Sequence, residues 1–220
     1  MEQNRAARID APTQIVLVRH GECEGNREGR FRGRADFPLN EVGLAQARAA
    51  AAALKEIPLE RVFTSPLLRA RQTAEILAEG RDLPVEAREG FTNLALGPWE
   101  GRTKEEIRQE CPVEWSLWLH HPERLRLPGA ESLGDVGRRA LANLDHLVRT
   151  YPGSTFAVVS HRTVLKPLLA AALGIAEPSF WRIHMETASV SLLRHTPQQG
   201  YCLVRLNDTH HLEAFLSEWV

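Results

Sequence analysis

Residues 15–21, Ile15-Val-Leu-Val-Arg-His-Gly21, set a short apolar run directly against an arginine, a histidine and a glycine. An apolar, β-branched run closed by polar residues reads as a buried strand, which puts the polar trio at its carboxyl end. Two further runs repeat the arrangement. Arg61-Val-Phe-Thr64 leads into Ser65-Pro-Leu-Leu-Arg69, and Thr155-Phe-Ala-Val-Val159 leads into Ser160-His161. Each is followed by a helical pattern. Within residues 40–56, Leu44, Ala47, Ala51 and Leu54 recur at helical spacing. Ser65 reads as an N-cap with Pro66 at the first helical position, Leu68, Ile76 and Leu77 continue the face, and the helix ends near Gly80. Thr103-Lys-Glu-Glu106 matches a capping box, and Leu133, Val136, Ala140, Leu144 and Leu147 form another stripe.

Strands alternating with helices imply a sheet covered on both faces, so the expected fold is α/β: a three-layer α/β/α sandwich with a mainly parallel sheet. The last part of the chain differs. Residues 188–194 and 201–206 flank Pro197-Gln-Gln-Gly200 and read as a hairpin at the sheet edge. Residues 90–131 carry scattered tryptophans and prolines and weak strand signals, and read as a small helical insertion capping the sheet over the active site. No repeat or linker divides residues 1–220, so a single domain is expected, with residues 1–13 as a flexible tail.

The 220 residues, 43% hydrophobic and 25% charged, are enough to bury a full core. With Lys+Arg 27 against Asp+Glu 28 the net charge is -1, so no global field draws nucleic acid or an anionic membrane. No apolar run approaches the roughly 20 residues that span a bilayer, and the first residues are polar, so a cytoplasmic protein is expected. Cys23, Cys111 and Cys202 are odd in number and widely spaced, which fits a reducing compartment rather than a disulfide framework. A homodimer is left open.

Ligands of open α/β sheets bind in the crevice outside the strand carboxyl ends. That places His20, His161, Arg19 and Arg69 around one pocket, and these residue types suit phosphate. Arginine offers fork-like donors, Arg69 lies in the first turn of a helix whose amino end favours anions, and Gly21 permits close backbone approach. One imidazole can attack phosphorus while the other donates to oxygens whose charge grows in the transition state. Neither a metal nor another cofactor is required.

Leu17-Val-Arg-His-Gly-Glu22 with Asn26 resembles the opening signature of the histidine phosphatase superfamily and the related phosphoglycerate mutases. The resemblance continues in order through Arg30-Phe-Arg-Gly33, Asp36-Phe-Pro-Leu39, Gly43-Leu-Ala-Gln-Ala47, Ser65-Pro-Leu-Leu-Arg-Ala70 and Gln72-Thr-Ala74. It ends with Leu96-Gly-Pro-Trp-Glu-Gly101, Val158-Val-Ser-His161 and Leu206-Asn-Asp-Thr209. It implies a phosphoglycerate mutase-like fold, phosphorylation of His20, a phosphate pocket formed by Arg19, Arg69 and His161, and a further contact from Asn26.

Two residues depart from the pattern. The resembling phosphatases carry a glutamate four residues before the first glycine of the Gly-x-Trp-Glu-Gly motif, where it protonates the leaving alcohol and later activates water. Here that position is Asn93, which hydrogen-bonds but supplies no proton at neutral pH. Glu89, Glu100 and Glu22 are the candidate substitutes. Arg162 stands where relatives often carry glycine, and either reads substrate charge or faces solvent. Both Asn93 and Arg162 count as candidate substrate-binding residues, with Asn26 and Gly21.

Plainer readings hold elsewhere. Arg27, Arg30, Arg32 and Arg34 read as a solvated loop, and His120-His121 and His210-His211 as surface pairs without a third metal ligand. Trp99, Trp115, Trp118 and Trp181 read as packing. Cys23 lacks the arginine six residues on that a cysteine phosphatase needs, and no Gly-x4-Gly-Lys run of a P-loop kinase occurs. The function expected is a phosphomonoester hydrolase working through phosphohistidine on small phosphorylated metabolites. The alternatives are a phosphoglycerate mutase-type transfer, or a weakly catalytic phospho-ligand binding protein because of Asn93. Attack by neutral His20 beside a charged His161 predicts a bell-shaped pH profile.

Overall fold

The computed structural model describes residues 11–213. Most of the tail expected at 1–13 lies outside them, and Thr13 already opens the first strand. The strands are β1 (Thr13–Arg19), β2 (Arg61–Thr64), β3 (Val85–Ala87), β4 (Thr155–Ser160), β5 (Val190–Thr196) and β6 (Gly200–Asp208). They form one sheet in the order β3-β2-β4-β1-β5-β6. The first four run parallel and β5 and β6 antiparallel, so the sheet is mixed. The expected hairpin is β5 and β6, seated at the edge beside β1. β3 was not legible: its three residues are all exposed and carry no apolar pattern.

The helices are α1 (Glu24–Arg27), α2 (Glu41–Ala53), α3 (Leu68–Ala78), α4 (Lys104–Glu110), α5 (Pro112–His120), α6 (Leu133–Thr150) and α7 (Arg162–Leu173). Alternation along β1 separates two cores. Ile15 and Leu17 pack with Phe63, Phe156 and Val158 against Leu144 of α6 and Leu168 of α7. Val16 and Val18 pack with Val62, Ala157 and Val159 against Ala50 of α2 and Ala74 of α3. Strands apolar on both faces can be stable only between two helical layers, and this is the α/β/α sandwich. Residues 90–131 contain α4, α5 and short 3-10 turns at Gly97–Trp99 and Pro122–Arg124. Phe31 ties them to the rest, its ring centroid 4.7 Å from Trp99 and 5.5 Å from Trp118.

Local chemistry sets the helix starts. Asn40 caps α2 by accepting from Gly43 N at 2.9 Å, and Thr103 with Glu106 and Ser132 with Asp135 form reciprocal capping boxes on α4 and α6. α3 departs from expectation, because it begins at Leu68 and Ser65 does not cap it. The cap comes from far away in sequence: Asp36 Oδ1 accepts from Leu68 N at 2.7 Å. The Ser65 hydroxyl is used elsewhere.

Candidate active site

The register of the central strands brings three chain ends to one level. Arg19 lies opposite Ser160 in the β1/β4 pair, His20 N donates to Ser160 O at 3.0 Å, and Ser65 N donates to Val159 O at 3.0 Å. His20, Ser65 and His161 therefore leave the sheet side by side. The rings of His20 and His161 stand 5.1 Å apart between centroids, and each residue is 2% exposed.

The hydrogen bonds assign their protons. His20 Nδ1 lies 2.7 Å from Gly21 O, and a carbonyl only accepts, so Nδ1 carries the hydrogen and Nε2 the lone pair. His161 Nε2 lies 2.8 Å from Ser65 Oγ. That hydroxyl also accepts from Leu67 N at 3.3 Å; its own proton is assigned to Nε2 and the ring proton of His161 to Nδ1. His161 Nδ1 is buried and makes no hydrogen bond in the protein. Burial, and then the charges of Arg69 and Arg19, hold the His20 imidazolium well below the usual range. His161 is lowered in the same way, by burial first and Arg69 next. Both rings are thus neutral at neutral pH, against the charged His161 expected from the sequence.

Arg19 donates through Nη1 to Met185 O at 2.8 Å, and Arg69 donates to Ala35 O at 2.9 Å and Gly33 O at 3.0 Å. Both are fully buried. Burial and the neighbouring Arg32 push Arg69 down to about 10, still charged at neutral pH. Gly21 matters for a reason other than phosphate approach. A Cβ there would come within 2.4 Å of Gly43 O, and one on Gly43 within 1.9 Å of Glu22 O. The loop after β1 is pressed against α2 at a crossing only two glycines allow.

The cavity at this strand edge is lined by His20, His161, Asn93 and Arg162, together with Arg30, Arg32, Lys104, Thr163 and the apolar Phe31, Gly33, Leu96 and Trp118. Arg30 and Arg32 thus leave the solvated-loop reading, whereas Arg27 pairs with Glu22 and Arg34 with Glu131. Arg162 does not merely face solvent: it is 7% exposed and its guanidinium lies 5.6 Å from the Trp181 ring centroid. Asn26 is not among the lining residues. Its Oδ1 accepts from Cys23 N and Cys23 Sγ, both at 3.0 Å, and ties down the start of α1.

Asn93 is fixed at both ends. Its Nδ2 donates to Gly33 O at 2.8 Å and its Oδ1 accepts from Thr163 Oγ1. The three candidate substitute acids lie elsewhere. Glu22 Oε1 is taken up by Arg27 and Asn40, Glu89 accepts from Thr92, and Glu100 accepts from Leu96 N at 2.9 Å. Among the described residues no carboxylate lines the cavity. Ser65, Lys104 and Thr163 are the site residues sequence reasoning missed. Ser65 carried a signal, a serine at a strand end directly before a helix, and it was spent on a capping role.

Away from this site, Asp208 joins His210 and His211, their ligand atoms all within 4.8 Å, so the third partner missing from the sequence reading is present. Arg205 pairs with the same carboxylate at 2.6 Å.

A family model for the histidine phosphatase superfamily (branch 1) matches residues 15–209. Phosphoserine phosphatase 1 of Hydrogenobacter thermophilus is 32% identical over 205 residues, spanning 93% of this chain and 97% of that protein. The solved structure of Bacillus stearothermophilus YhfR superposes with a TM-score of 0.88 at 33% identity, over 91% of this chain and all 100% of that one. A mycobacterial glucosyl-3-phosphoglycerate phosphatase solved with vanadate gives a TM-score of 0.82 at 28% identity, over 89% of this chain and 99% of that one.

Proposed function

This chain belongs to the histidine phosphatase superfamily, and on that premise we propose that it hydrolyses small phosphorylated metabolites by way of a phosphohistidine on His20. The observation that carries the proposal is the proton placement at the paired imidazoles. Nδ1–H of His20 points at the Gly21 carbonyl, which leaves Nε2 with the electron pair that phosphorus needs.

In this reading Arg19 and Arg69 hold the equatorial phosphoryl oxygens from the floor, and Nδ1–H of His161, which has no partner of its own, donates to one of them as charge grows. Ser65 keeps that proton on Nδ1. Gly21 and Asn26 serve by shaping the nucleophile loop, while Asn93 and Arg162 face the part of the substrate beyond phosphorus. The protein's own side chains supply the chemistry, without metal or cofactor. The proposal extends to a cytoplasmic protein with no nucleic-acid or membrane partner, supported by the net charge of -1 and three free cysteines. No helix of the described residues is long and apolar enough to cross a membrane. Val204 and Leu206, 54% and 38% exposed on the edge strand β6, support pairing of two copies as a homodimer.

Incubation with radiolabelled acetyl phosphate followed by rapid quench tests the central step. An acid-labile, alkali-stable label in the native chain that His20→Ala abolishes is the expected result, and equal labelling of the variant would refute it.

A further inference from the structure

Three facts about the cavity point the same way. The position that carries the leaving-group acid in the resembling phosphatases holds Asn93 here, whose two polar side-chain atoms are both engaged, with Gly33 O and Thr163 Oγ1. Glu22, Glu89 and Glu100 are tied to other partners, and no carboxylate among the described residues lines the cavity. Arg162 and Lys104 line it instead, together with Arg30 and Arg32. Arg162 opens the 12-residue α7 next to Thr163, so a cation and a helix amino end sit beside the anchored Asn93.

A site built this way cannot hand a proton to the departing oxygen, but it can stabilise an oxygen that leaves with its charge. An alkoxide is about as basic as hydroxide and leaves poorly without a proton, whereas a carboxylate or a phosphate leaves as an anion whose conjugate acid has a pKa of about 4 or about 6. We propose that the physiological substrate is an acyl phosphate or a phosphoanhydride, and that Arg162 and Lys104 receive the charge of the departing anion. This inference rests on the phosphohistidine reading above and narrows its substrate class.

The chemistry balances without a proton donor. The Nε2 electron pair of neutral His20 forms the N–P bond, the bridging P–O bond breaks, and its electrons leave on the carboxylate or phosphate product. The ring becomes a phosphoimidazolium that keeps its Nδ1–H on Gly21 O. Water then adds its oxygen to phosphorus, the N–P pair returns to Nε2, and both water protons end on the released phosphate as dihydrogen phosphate, which gives one up to bulk solvent.

The test is a leaving-group series on the full chain: acetyl phosphate, pyrophosphate, p-nitrophenyl phosphate, phenyl phosphate and glycerol phosphate. For each compound kcat/KM and phosphohistidine labelling are measured. Loss of general-acid help costs about 100- to 10,000-fold on a basic leaving group, so glycerol phosphate is expected at least about 100-fold below the activated compounds, with a steep dependence across the aryl pair. Acetyl phosphate against pyrophosphate tells a carboxylate leaving group from a phosphate one. Arg162→Gln is expected to lower kcat/KM for the better of these about tenfold or more, leaving the hydrolysis rate of preformed phosphoenzyme unchanged, a split that a structural role would not give. Labelling by every compound with turnover of glycerol phosphate within tenfold of acetyl phosphate overturns the leaving-group inference and leaves the phosphohistidine reading intact. Absence of label from all of them overturns both.

Discussion

Asn93 and Arg69 donate to one carbonyl. Gly33 O accepts from Asn93 Nδ2 at 2.8 Å and from Arg69 Nη2 at 3.0 Å, so the cavity-lining asparagine and the arginine proposed to hold the phosphoryl group share a single anchor. Asn93→Ala therefore reaches further than its own position. It leaves Thr163 without its acceptor and loosens the turn that orients Arg69. A stability loss of about 1–3 kcal/mol with a raised KM for p-nitrophenyl phosphate is expected from urea titration and steady-state kinetics.

Asn93→Glu gives the opposite result in catalysis. A protonated carboxyl at that place has one proton, which it can hand to the departing oxygen in place of the amide's bond to Gly33 O. Turnover of glycerol phosphate is expected to rise about 100-fold, with the aryl leaving-group dependence flattened. A variant that folds, as judged by circular dichroism, yet shows no gain would mean that position 93 does not face the leaving group.

Both imidazoles are held below their ordinary range by burial and then by Arg69, and this has consequences of definite sign. Each ring takes up its proton more readily in the unfolded chain, where its pKa is about 6.5. The stability contributed is present above that value and is lost as pH falls from it towards the lower folded-state values. Urea unfolding is expected to show stability falling between pH 7 and pH 5, and a His20→Gln/His161→Gln double variant to lose part of that slope. The same depression moves the acidic limb of kcat/KM, which reports the free enzyme, below the normal imidazole range.

Ser65→Ala removes the donor that fixes the His161 tautomer. Nε2 then competes with Nδ1 for the ring proton, and a fall in kcat of about tenfold with little change in KM is expected. Ser65→Thr, which restores a hydroxyl, should recover most of it. Asp36→Ala acts on the neighbouring helix differently, by losing the cap on Leu68 N at a cost of about 1 kcal/mol.

Gly21→Ala and Gly43→Ala test the crossing under the nucleophile. The added methyl meets backbone in both cases, at 2.4 Å and 1.9 Å, with no flexible side chain to give way. A loss of at least about 1–3 kcal/mol is expected in urea melts, together with lost His20 labelling, because the loop carrying the nucleophile must shift.

The three central strands and the four residues near their ends were legible because burial on both faces leaves an unbroken apolar run, and because Arg19, His20 and His161 stand directly at such run ends while Arg69 sits in the first turn of the helix after one. Contacts that bridge distant segments were not legible. Asp36 caps a helix from which α2 and β2 separate it in sequence, and Arg30 and Arg32 look like any solvated basic stretch until the chain folds back over the cavity. Ser65 was seen but misassigned, since a serine before a helix serves equally as a cap or as a partner for a side chain across the sheet. The charge state of His161 escaped because it depends on burial and on three arginines, all of them from other segments.

Arg19 lies in the first strand, yet the carbonyl that holds it belongs to Met185, 166 positions later. Its strand has β4 on one side and β5 on the other, both from the last third of the chain. During synthesis β1 therefore leaves the ribosome with two open edges and two apolar faces, and waits for β4, ending at Ser160, before one edge is paired and for β5, ending at Thr196, before the other is. Long-range pairing of this kind is slow and leaves sticky intermediates. Phosphatase competence is consequently one of the last properties a nascent molecule acquires, and its recovery after dilution from denaturant times the closing of the sheet.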